Sequence, residues 1–81
     1  MFSSTKHVIK PSETPGVYHV LLIKQSRIVY RGGLDKSRLP NGDGTLYHDT
    51  GGVKACGKWK HGKFTFGTVF SESGQLERSL E

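Results

Sequence analysis

Residues 44–51, GTLYHDTG, and residues 67–74, GTVFSESG, begin 23 positions apart and match in kind almost throughout. Gly44 aligns with Gly67, Thr45 with Thr68, Leu46 with Val69 and Tyr47 with Phe70. Asp49 then aligns with Glu72, Thr50 with Ser73 and Gly51 with Gly74. Self-similarity at a period of this length signals a repeated supersecondary unit that buries its apolar face only by stacking on its neighbours. Each copy reads as a β-branched and aromatic strand, a Gly-containing tight turn and a second strand. Gly51, Gly52 and Gly74 supply turn geometry, since glycine takes positive φ at little cost. Gly44 and Gly67 leave bare backbone against which an aromatic ring can lie.

Working outward, the correspondence extends to YRGGL at 30–34 and ACGKW at 55–59, now 25 apart. A surface loop at DKSRLPNG absorbs the two extra residues. GVYHVLLIKQSRIVYRGG reads as a hairpin, with strands at 17–23 and 28–31. Further strands are expected at 45–48, 53–59, 64–70 and 75–79. Residues 32–44 are turn-rich, and residues 1–16, punctuated by Ser, Pro and Gly, read as a flexible arm. No segment carries an apolar 3.6-residue period of helical length. The expected fold is therefore all-β: an antiparallel meander of about six short strands, forming an elongated, curved single-layer sheet over residues 17–81.

YRGG at 30–33, NGDGTLY at 41–47, GG at 51–52, CGKWKHGK at 56–63 and GTVF at 67–70 resemble MORN repeats. Two degenerate copies cover about 30–54 and 55–76. Ala55 stands where the second unit should open with Tyr, Leu34 where the first should carry Trp, and Thr65 at the first glycine of the Gly-x-Gly pair. The resemblance implies a stack of hairpins and an interaction role: scaffolding, dimerisation, or contact with proteins or acidic lipids.

The chain has 81 residues, 33% of them hydrophobic, with 11 glycines and a net charge of +5. This is one domain with a thin core, which a partner or self-association would help to stabilise. Residues 1–31 hold five Lys/Arg against Glu13 alone, and Lys54, Lys58, Lys60 and Lys63 lie in a stretch without acids. Such a surface favours an acidic partner. The single Cys56 rules out an internal disulfide framework and points to a reducing compartment. The N-terminus lacks a signal-peptide apolar core, and VLLI at 20–23 is far too short to span a bilayer. A cytoplasmic protein is expected.

For catalysis, His48–Asp49 has the residue types of a base and its orienter but sits at a hairpin turn, where Asp more often caps backbone amides. Cys56, His48 and His61 lack metal-ligand spacing, and no Gly-rich turn has the context of a phosphate loop. Neither enzyme activity, metal nor cofactor is expected. Along residues 54–60 the pleat puts Ala55, Gly57 and Trp59 on one face and Lys54, Cys56, Lys58 and Lys60 on the other. The candidate partner groove comprises Tyr30, Tyr47, Trp59, Phe66 and Phe70, flanked by a basic face of Lys54, Lys58, Lys60 and Lys63. The resulting expectation is a non-catalytic protein-interaction module, a small regulator or inhibitor of a larger acidic protein, of the phage or bacterial accessory kind. The C-terminal edge offers unpaired backbone for a homodimer. Alternatives are a basic sheet that binds nucleic acid and a MORN-type module for acidic phospholipid or scaffolding.

Overall fold

In the computed structural model, which describes residues 5–80, seven strands run antiparallel in one open sheet ordered as in the chain. They are β1 (His7–Pro11), β2 (Tyr18–Leu22), β3 (Arg27–Leu34), β4 (Pro40–Tyr47), β5 (Val53–Lys60), β6 (Lys63–Phe70) and β7 (Leu76–Leu80). The all-β meander follows expectation, with two corrections. Within the segment read as an arm, β1 pairs in register with β2, His7 opposite Leu22 and Pro11 opposite Tyr18. Pro11 is tolerated because it lies on an edge strand; residues 1–4 of that arm lie outside the described residues. The turn-rich reading of 32–44 also gives way: β3 runs to Leu34 and β4 starts at Pro40, so NGDG is strand rather than loop.

The repeat appears in the turns. His48 N–H donates to the Gly52 carbonyl at 2.8 Å and Gly51 N–H to the His48 carbonyl at 2.9 Å. Twenty-three residues on, Ser71 N–H donates to Gln75 at 2.8 Å and Gly74 N–H to Ser71 at 3.0 Å. The β3–β4 turn has the same pattern, from Asp35 N–H to Leu39 and from Arg38 N–H to Asp35. The fourth position carries positive φ in all three: Gly51 at 93°, Gly74 at 88° and Arg38 at 63°. A side chain in this region costs roughly 1 kcal/mol that glycine avoids. Arg38→Gly is therefore expected to stabilise the protein by up to about 1 kcal/mol, and Gly51→Ala to destabilise it by a similar amount, in urea denaturation followed by circular dichroism.

Register shifts interrupt every pairing from β2–β3 to β6–β7. Bulges sharpen twist and bend the strands that carry them. The sheet accordingly curls: its shortest dimension is 22 Å, about twice the roughly 10 Å of a flat sheet with its side chains.

Curling lets one layer build a core on its inner face. Ile9, Val20, Tyr30, Leu46, Ala55 and Val69 align across six strands. The neighbouring row is glycine on four consecutive strands: Gly32, Gly44, Gly57 and Gly67. Beyond it, Gly42, Trp59 and Phe64 align. Aromatic rings from either side meet over this glycine row. Tyr30 and Trp59 pack edge to face at 5.9 Å between centroids, and Trp59 lies 5.0 Å from Phe64. A Cβ on Gly44 would overlap the Tyr30 ring, and one on Gly67 would come within 2.9 Å of the Phe64 ring. The polar ends of both large rings are satisfied as burial requires. The Tyr30 hydroxyl donates to the Gly33 carbonyl at 2.8 Å, and the Trp59 indole N–H to the Gly44 carbonyl at 3.0 Å.

Burial first, and the nearby Asp43 carboxylate second, push the Tyr30 phenol up to about 12. An unfolded Tyr titrates near 10, so Tyr30 supports the fold fully below about pH 10 and ceases to as pH rises through about 12. Tyr30 should ionise only above pH 10, together with unfolding, in an ultraviolet difference titration run beside circular dichroism.

Candidate functional site

The five aromatics expected to line a groove do not share a surface. Tyr30 is fully buried and Trp59 is 6% exposed, both in the inner core. Tyr47 and Phe70 are half-buried at strand ends. Phe66 is 52% exposed and lies opposite Lys58 on the outer face. Strand alternation places Trp59 away from the lysines, as expected; curvature then covers it.

The outer face carries three cross-strand rows. An apolar row aligns Val8, Leu21 and Ile28 on β1–β3. A polar row aligns Lys10, His19, Arg31, Thr45, Cys56, Thr68 and Ser79 across all seven strands. A third aligns Asp43, Lys58 and Phe66 on β4–β6. Contacts within the rows hold the side chains in place. The Arg31 Nε–H donates to His19 Nε2 at 3.2 Å. The Thr45 hydroxyl donates to Cys56 Sγ at 3.5 Å.

The predicted lysines are all exposed but differ in surroundings. Lys58 Nζ pairs with Asp43 at 2.6 Å, with both side chains well exposed, so the pair adds little stability and offsets part of the positive charge. Lys60 and Lys63 face one another across the His61–Gly62 turn and concentrate positive charge at that tip. Lys54 is the extra residue of the bulge between the Leu46–Ala55 and Tyr47–Val53 pairs. The Lys10–His19–Arg31 row escaped sequence reading. Alternation within each strand points these residues outward, but their alignment depends on where the β2–β3 register shifts.

The turn glycines sit where the sequence put them, Gly51, Gly52 and Gly74 at hairpin ends. Gly44 lies inside β4 rather than just before a strand, and Gly67 lies inside β6. At one end of the sheet, Arg27 reaches the β4–β5 turn, donating to the His48 carbonyl at 3.2 Å and meeting Asp49 at 3.3 Å. His48 Nε2 lies 2.9 Å from the Phe70 carbonyl and donates to it. Asp49 thus serves Arg27 rather than orienting His48 or capping the turn. At the opposite end, Asp35 binds three partners. Its Oδ1 accepts from the Leu39 and Ser37 amides at 3.0 and 2.8 Å, and its Oδ2 lies 2.6 Å from His61 Nδ1. The Leu39 amide, with the His61 ring and the Ser37 amide, holds the Asp35 carboxyl below its ordinary value. This pair fastens the β3–β4 turn to the β5–β6 turn. Among the described residues, no group of three or more His, Cys, Asp or Glu is placed to hold a metal ion. Comparisons with family models, with curated proteins and with solved structures gave no match to this chain.

Proposed function

We propose that the protein is a non-catalytic binding module that holds an acidic surface of a partner protein on the outer face of its sheet. The observation that carries this reading is the alignment of Lys10, His19 and Arg31 on β1–β3 of that face, with Lys58 and the exposed Phe66 farther along it on β5 and β6. Among the described residues of the three outer rows, Asp43 is the only acid. A face of one dominant sign raises association rates and selects partners of opposite charge. Phe66 adds an apolar contact of the type enriched at interfaces. The MORN-like spacing of residues 30–76 supports the same interaction role.

The test is affinity capture of the tagged protein's partner from lysate with and without nuclease, followed by titration of the recovered partner. A nuclease-resistant protein is expected, bound at least about tenfold more weakly by a Lys10→Glu/Arg31→Glu double variant. Recovery that disappears with nuclease, or affinity unchanged by the double reversal, would refute the reading.

A further inference from the structure

The outer face is not uniformly polar. At the β1–β3 end it carries apolar side chains that stand exposed among the described residues: Val8 is 36% exposed, Ile28 36% and Ile23, in the β2–β3 loop, 51%. Two adjoining concavities open here, of about 440 Å³ and 300 Å³, and both are lined by Leu22 and Ile23. Their walls include Lys10 in the larger and Lys6 and Lys24 in the smaller. Arg31 stands in the adjacent polar row. Over residues 5–34 there are five Lys/Arg and one acid, Glu13, in the β1–β2 connection. The patch is therefore an apolar floor with a cationic rim.

We infer that this patch is the docking site for an amphipathic, acidic helix of a partner protein. Apolar residues of that helix seat on Val8, Leu21, Ile23 and Ile28, and its Asp and Glu side chains meet Lys6, Lys10, Lys24 and Arg31. Charge complementarity selects the acidic rim of the occupant, and the exposed aliphatic side chains select its apolar face. Three strands at about 4.8 Å spacing span roughly 10 Å, the width of one helix with its side chains. The inference rests on the proposed binding role of the outer face and gives that face an anchor of its own.

The probe is a fluorescein-labelled peptide of about 16 residues, with Leu at helical i, i+3, i+4, i+7 spacing and Glu and Ala elsewhere. A control peptide replaces each Leu with Ser and keeps the charge. Anisotropy titrations of the full chain should show the Leu peptide binding at least about tenfold tighter than the Ser peptide. Ile23→Ser/Ile28→Thr should remove that advantage while binding of the Ser peptide stays unchanged. The comparison of peptides on the unmodified protein needs no variant, and Ile23→Ser alone changes an exposed loop residue. Equal binding of the two peptides, still weakened by Lys10→Glu/Arg31→Glu, would overturn the anchor and leave the basic-face reading standing. No binding of either peptide would overturn both. Tighter binding to phosphatidylcholine vesicles containing phosphatidylserine than to the Leu peptide would overturn the helix in favour of a bilayer.

Discussion

Trp59→Ala should lower the urea midpoint at 25 °C by about half. Trp59 is almost fully buried, packs on Tyr30 and Phe64, and its indole N–H satisfies the Gly44 carbonyl. Removing a core Trp costs about 3–5 kcal/mol. A domain of this length has in total roughly 4–12 kcal/mol, at 0.05–0.15 per residue. The loss is thus a large share of the whole. Phe66→Ala, on the exposed outer face, should move the midpoint by no more than about 0.5 kcal/mol equivalent. Circular dichroism in urea measures both. A Trp59→Ala midpoint close to that of Phe66→Ala would show that the inner aromatic cluster does not hold the fold.

Gly57→Ala should be nearly as damaging, although it adds only one methyl group. A Cβ at Gly57 would overlap the Phe66 carbonyl oxygen and press on the Gly67 Cα. These are backbone atoms of the paired strand, so they cannot swing aside as a side-chain end would. The β5–β6 ladder must part locally, at an expected cost of about 3 kcal/mol. For a chain this short, 1 kcal/mol corresponds to about 4–8 °C in melting temperature, so the midpoint should fall by roughly 12–24 °C. Cys56→Ala, one residue earlier and facing outward, should leave it nearly unchanged. Similar melting of the two variants would mean that the glycine row is not closely packed.

The hairpins and their turns were legible because turn chemistry is local. Gly51 and Gly74 stand 23 residues apart at the same position of the same hydrogen-bonded loop. β1 was hidden because HVIKP is short, ends in proline and is flanked by Ser and Thr, so only its partner β2 identifies it. NGDG reads as a turn because its glycines are usually turn residues; here both are strand positions, Gly42 with a φ of 85° and Gly44 making room for the Tyr30 ring. The division of Tyr30, Trp59 and Phe66 between core and surface was not legible. Alternation assigns a face, but only curvature, set by bulges at five pairings, decides which face is covered.

Strand order that follows chain order has a kinetic meaning. Each strand finds its partners across a connection of a few residues, so each pairing step closes only a small loop and loses little chain entropy. Contact order is low for an all-β protein, and folding should run as a zipper spreading from a central hairpin, faster than in Greek-key sandwiches of similar size. Run backward, the same order lets β1 or β7 peel away without disturbing the middle of the sheet. The ends are then the low-energy openings of the molecule, and β3–β5 the part that opens last.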